Sequence, residues 1–315
     1  MNTFKWLLKR EFWEHKLAFL LVPVVTGTVM TLIITVSLAI AVLGLGNGVK
    51  INGVDVSSLA AVVTPLQKSQ FASQLVAGYA GLAMPFFIAL GFCVFFFCVN
   101  ALFDERRDRS VLFWKSLPIA DGTTVLSKVA MAIGIAPVIT MVVATITAVL
   151  AGILICIAAA IAGVNIFSDV LGNPATYLVP VQLAALLPIY ALWALPTVGW
   201  LLLVSAWART KPLLWAVGVP VMAGTLASWA NGLFQLDWNV GWFWKNIVAR
   251  LLVSVLPGSW LAGQHRALPG DQSPMGETLA RSWQMLASAD IWIGVLLGAA
   301  MIFAAIRMRG LRDEG

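Results

Sequence analysis

Val129 to Ser168 reads VAMAIGIAPVITMVVATITAVLAGILICIAAAIAGVNIFS, forty residues without one charged side chain. As a helix it would run about 60 Å, against about 30 Å of hydrocarbon in a bilayer. Two readings compete. The stretch is either two short spans broken near Gly134 and Pro137, or one long helix that begins outside the hydrocarbon.

Outward from it, further charge-free runs cover 17–49, 69–103, 170–208, 212–236 and 291–306. A crossing helix needs about 20 residues, and all but the last run exceed that. The last is extended through the interface by 283–290. Helices are expected at 17–44, 74–103, 123–162, 177–206, 212–231 and 287–308. The whole chain is 60% hydrophobic and 11% charged, where a soluble domain carries roughly 25% charged residues. Its mean hydropathy is +0.92. These values exclude an ordinary soluble globule and a nucleic-acid binder. The fold expected is all-α, a polytopic membrane protein with six spans.

Charge bias settles the long run. With one helix there, 14 of the 20 Lys and Arg fall on the side of both termini, and Lys50, Lys68, Lys245, Arg250, Arg266 and Arg281 fall on the other. That is the asymmetry expected between cytoplasmic and external segments. Two spans there would carry Arg209, Lys211 and the Arg307–Arg312 cluster outside. One long helix and two cytoplasmic termini follow. The apolar run behind Lys5, Lys9, Arg10 and Lys16 is also far longer than a signal-peptide core.

This frame gives the loops meaning. Residues 46–73 form a first external loop and Asp169–Tyr177 a short external turn. The largest external region, 232–286, carries Trp238, Trp242, Trp244, Trp260 and Trp283, which suit the headgroup layer. Within it the apolar stretch from Leu251 to Leu261 meets Pro257-Gly258 and is too short to cross. A re-entrant or interfacial hairpin is one reading, and an open loop the other.

On the cytoplasmic side, residues 3–16 gather Phe4, Leu7, Leu8 and Phe12 on one helical face, with Lys5, Lys9 and Lys16 favouring the polar face. Such a helix lies in the membrane surface with its apolar face in the headgroup boundary. The alternative is a basic anchor that only fixes topology. Residues 104–122 hold a charged cluster, Asp104-Glu105-Arg106-Arg107-Asp108-Arg109, then Phe113 and Trp114, then Pro118. A short helix here would insert its aromatics into a cytoplasmic partner, with Glu105 and Arg106 paired at the rim. A solvated loop with one interfacial anchor fits the periodicity equally well.

Other signals are negative or structural. There is no GxxxxGK[ST] phosphate loop, no HExxH and no GxSxG. Cys93, Cys98 and Cys156 have neither zinc nor redox spacing, and His15 and His265 are too far apart in the topology to form a site. Lys128 and Asp290 sit at helix ends, where snorkelling makes a charge cheap. Pro180, Pro188 and Pro196 recur every eight residues in the fourth run. Each removes a helical donor, so the helix should be curved or segmented, either statically or as a gating element.

In this order and spacing the residues resemble the membrane subunits of the type-two ATP-binding-cassette (ABC) export family, bacterial permeases with six spans. Arg10-Glu11 precedes the first span, Glu105-Arg106-Arg107-Asp108-Arg109-Ser110 follows the second, and Leu117-Pro118-Ile119 and Lys128 lead into the third. The family pattern runs Glu-Arg-Glu, a variable residue, Gly-Thr, then Leu-Pro-(Val/Ile)-Ser and a Lys eight to ten positions on. Here Arg109 stands where Gly is usual, Ser110 where Thr is usual, and Ala120 replaces Ser. The resemblance implies a translocation path built by two such subunits, expected as a homodimer in a bacterial inner membrane. It implies two separate cytoplasmic ATPase subunits that hold ATP and Mg, no cofactor on this chain, and lipid but no nucleic acid as further partner. ATPase coupling would fall to Glu105, Arg106, Asp108, Arg109, Phe113, Trp114 and Pro118. The segment with Phe4, Leu7, Leu8, Glu11 and Phe12 would be the elbow helix, and 232–286 the external re-entrant hairpin. The scarce polar residues of the spans, Asn100, Gln182 and Gln235, favour an amphipathic or lipid-like cargo over a free ion. The alternatives are a secondary transporter and a membrane-embedded lipid-modifying enzyme.

Overall fold

Long apolar sequence becomes long, largely continuous helix. The computed structural model describes residues 3–42, 50–51, 54–55, 65–108, 120–235, 237–261 and 274–312. Among these, six helices are long and apolar enough to cross a bilayer: Leu17–Val42, Lys68–Arg107, Asp121–Ile161, Ala175–Trp207, Pro212–Phe234 and Ala289–Leu311. They are called spans one to six below. A helix over Thr3–Glu14 precedes span one, and a two-residue antiparallel pair, Lys50–Ile51 with Val54–Asp55, lies between spans one and two. The fold is all-α.

Span three is a single helix. Its suspected break is a π turn at Met131–Ile135, which leads into Ala136–Ile161 with Pro137 near the start. The wider turn accommodates the missing proline donor, so the helix continues where the sequence alone suggested a stop. Span four does break. Its helices are Ala175–Ala184 and Leu187–Trp207.

Leu90, Val94, Met131, Ile189, Leu201 and Ile302, from spans two, three, four and six, share one buried cluster. Spans four and six make the closest approach. A Cβ on Gly298 would stand 2.7 Å from the carbonyl oxygen of Leu195, so the backbones themselves are in contact. Small residues serve this purpose in membrane helices, where close packing rather than water exclusion drives association. Spans one and five lie at the margin and expose apolar side chains such as Leu32, Ile33, Leu214 and Leu226.

Before span six the chain does not cross. Helical residues Val240–Phe243 continue through a π turn at Trp244–Val248 into Ala249–Val253, then turn. The turn reaches deep. The Tyr190 hydroxyl donates to the Val255 carbonyl at 3.1 Å, and the Thr197 hydroxyl to the Arg250 carbonyl at 2.8 Å. Tyr190 lies near the middle of span four, so this is a re-entrant hairpin. Indole N–H groups fasten it: Trp193 to Ser259 at 3.1 Å, Trp244 to Ser228 at 2.9 Å and Trp260 to Ser282 at 2.9 Å.

Candidate functional site: a buried charge network

Glu11 shares a helical face with Leu7, four residues earlier, and both are turned into the protein at 0% and 4% exposure. The expected lipid-facing stripe is therefore docked. Phe4, Leu8 and Phe12 are half-buried, Phe12 against the main core, while Trp6 and Trp13 are the large apolar side chains left exposed on this helix. A carboxylate on the apolar face decides the matter, because a buried charge must find a partner.

The partner is Lys128. Its ammonium lies 3.0 Å from both Glu11 carboxylate oxygens and 2.9 Å from Glu105. At 1% exposure it does not snorkel, which corrects the reading from sequence. Arg10 donates to Glu11 and to Glu105, each at 2.9 Å. Arg309, from the end of span six, donates to Glu105 at 2.8 Å and to Asp121 at 3.1 Å. Asp121 occupies the first turn of span three, where helix polarity favours an anion.

Three cations thus meet three carboxylates. The arrangement joins four parts of the chain at one end of the bundle: the N-terminal helix, the end of span two, the start of span three and the end of span six. Glu105 is the hub, with Arg10, Lys128 and Arg309 around it. Removing one member would strand a buried charge, at a cost of about 3–5 kcal/mol.

Arg106 does something else. It donates to the backbone carbonyls of Leu102, Ser205 and Ala208, capping the C-terminal turn of span four. The Ser205 hydroxyl in turn accepts the Leu102 and Phe103 N–H groups, each at 3.0 Å. An exposed rim containing Glu105 is corrected to a buried hub. Asp108 is exposed at the end of the short helix Phe103–Arg107. Arg109, Phe113, Trp114 and Pro118 lie outside the described residues.

Metal chemistry finds no purchase at the network. Glu11, Glu14 and His15 come together closely enough to suggest a cation site, yet Lys128 and Arg10 already engage Glu11. The suspected gating prolines are dispersed. Pro180 is half-buried within Ala175–Ala184, Pro196 is buried within Leu187–Trp207, and Pro188 is exposed just after the break at 185–186. Beside that break is a cavity of about 250 Å³ whose wall includes Phe87, Met141, Leu186, Tyr190 and Trp260.

Sequence reasoning reached Glu11, Glu105 and Lys128 separately but missed their union. Asp121 and Arg309 were missed as site residues. Arg309 counted only towards topology, because nothing local separates it from Arg307 and Arg312. Compared with protein-family models, curated proteins and solved structures, the chain gives no match.

Proposed function

We propose that this chain is the membrane permease subunit of an ATP-driven ABC export system, lining the path for cargo and coupling to a separate cytoplasmic ATPase. A multi-span helical protein is compatible with transport in general. The observation that favours this form of it is Arg309, which bonds Glu105 on one side of segment 109–119 and Asp121 on the other. The residues on either side of the aromatic-bearing segment are thereby tied to spans two, three and six. A load delivered to them by a partner reaches three spans through these ion pairs.

In this reading the network end is cytoplasmic, two copies form the path, and ATP and Mg belong to two partner subunits. The chain itself performs no phosphoryl transfer. Binding and hydrolysis in the partner shift the permease between forms by contacting them unequally. The broken fourth span is a feature that a secondary transporter would share. However, the cavity beside it has no carboxylate, ammonium or guanidinium among its lining residues.

The test is affinity purification of the tagged full chain from its native membrane, followed by ATPase assay and identification of co-purified subunits. A P-loop ATPase should co-purify. Truncating Phe113 and Trp114 to Ala should cut its recovery and stimulation while leaving membrane insertion unchanged, as loss of an aromatic hot spot does. Purification of a folded chain with no ATPase would reject the reading, and full recovery and stimulation in the double variant would reject the role of Phe113 and Trp114.

A further inference from the structure

A second recess, of about 480 Å³, runs as a trough between the first two spans. His15, Ala18 and Val22 form one wall. Along span two the opposite wall runs from Ala89 through Phe92 and Phe96 to Asn100 and Asp104. Fifteen helical steps separate Ala89 from Asp104, about 22 Å at 1.5 Å per residue. One leaflet, headgroups included, is about 20–22 Å deep. The trough therefore has the length of a single leaflet.

It does not continue further. Beyond Ala89 the two spans close on each other, so that a Cβ on Gly27 would lie 3.5 Å from the Phe86 ring. The walls change character along the length. Exposed Phe92 and Phe96 line the deep part, and polar groups gather at the mouth. Asp104 is the one carboxylate there, exposed, and its side chain makes no hydrogen bond or ion pair among the described residues, although the charges of Arg107, His15 and Lys128 act on it from further off. The Asn100 amide also makes no side-chain hydrogen bond among them. His15 engages the Glu11 carbonyl through Nδ1 at 3.3 Å, leaving Nε2 unused by that contact.

Length and lining favour one occupant: a trough one leaflet deep, with aromatic rings in its deep part and polar groups at its mouth, matches an acyl chain below a headgroup. The carboxylate at the mouth, with no direct ion pair among the described residues, favours a cationic headgroup. We propose that this trough binds one bilayer lipid with a primary-ammonium headgroup, its acyl chain along Phe92 and Phe96 and its ammonium on Asp104. The Asn100 amide is placed to donate to the glycerol-phosphate oxygens. This inference is independent of the transport reading.

The experiment uses the full chain in bilayers of equal phosphatidylethanolamine and phosphatidylcholine, extracted gently, with retained lipid counted by native mass spectrometry. The ethanolamine lipid should be retained in about tenfold preference, the worth of one charge-assisted hydrogen bond. Asp104→Asn, at an exposed position that leaves folding intact, should bring the preference near parity. Ala89→Trp should expel either lipid from the trough. An ethanolamine lipid with a photoreactive acyl chain should label the peptide containing Phe92 and Phe96. Equal retention by the native chain, or a preference that survives Asp104→Asn, would overturn the proposal. So would efficient disulfide formation between two Phe92→Cys chains lacking Cys93, Cys98 and Cys156, since a second copy would then occupy the trough.

Discussion

At its C-terminal end span six delivers Arg309 into ion pairs with Glu105 and Asp121. Towards its other end Gly294 makes room for the guanidinium of Arg250, which stacks 4.0 Å from the Trp193 ring centre. Both cations are removed from water, but their surroundings differ. Arg309 has two carboxylates, whereas the Nε and Nη2 of Arg250 are buried without a hydrogen-bond partner among the described residues. One end is thus held by matched charge, and the other by aromatic faces and single hydrogen bonds from indoles to hydroxyls. Matched charge is intolerant of the loss of a member, while an aromatic anchor tolerates trimming.

The sharpest test of that difference is Lys128→Met. It leaves Glu11 without its principal partner and removes one of three cations from Glu105. A loss of about 3–5 kcal/mol is expected, seen as a lower Tm and poor recovery of folded protein in detergent. Glu11→Gln combined with Lys128→Met should regain much of it, because both halves of a buried pair are then gone. A double variant as unstable as the single one would mean that Lys128 acts through packing alone.

Next comes the contact between the two ends. Gly298→Ala forces a methyl group towards the Leu195 carbonyl, so spans four and six must separate. Overpacking of this kind costs about 1–3 kcal/mol. If the two ends are coupled through this seam, the variant should also raise hydrogen exchange at Tyr190 and Thr197, which hold the hairpin. Destabilisation confined to the seam would show that the hairpin is held independently.

Arg250→Met should cost least in stability for a buried cation. The stack on Trp193 contributes about 0.5–2 kcal/mol, and its loss is offset by removing two unsatisfied donors. A Tm close to that of the native chain is expected. A fall as large as that of Lys128→Met would erase the contrast between the ends and indicate a carboxylate partner for Arg250 in the membrane.

The same contrast explains what the sequence made legible. Six spans follow from hydropathy, length and the Lys/Arg bias of the connecting segments, all of which are read along the chain. The hairpin follows from a stretch, Leu251 to Leu261, that is too short to cross and contains Pro257-Gly258. The network is different in kind, because its hydrogen bonds join residues 95, 117, 188 and 204 positions apart. Helical periodicity found the stripe of Phe4, Leu7, Leu8 and Phe12 but could not say whether lipid or protein covers it, since both are apolar. Glu11 on that face was the one available sign of protein, and Lys128 at a helix end matched snorkelling too well to be read as its partner.

The smallest stability change should come from Pro188→Ala, although it bears on how the two ends communicate. Span four breaks at 185–186, inside the turn that precedes Pro188. A proline lacks the N–H that would bond the carbonyl four residues back, here Ala184, and its ring crowds that carbonyl. Helical bonding has resumed by Tyr190, whose N–H donates to Leu186 at 2.9 Å. Pro180 and Pro196 lie within helical stretches without such a break, so the position and not the residue type is distinctive. Alanine at 188 restores the donor, and the exposed site leaves room for it. The change in stability should be under about 1 kcal/mol, much of it through the unfolded chain. Shape should change more. Spin labels at Tyr177→Cys and Trp207→Cys, in a background without the native cysteines, are thirty residues apart, about 45 Å along a straight helix. The native chain should give a shorter distance, and Pro188→Ala one closer to the straight value. If the break lets the hairpin end respond to the network end, and if the proposed ATPase partner exists, the native distance should shift when that partner binds nucleotide, and the variant distance should not. An unchanged native distance under those conditions would leave Pro188 as a fixed bend that shapes the neighbouring cavity.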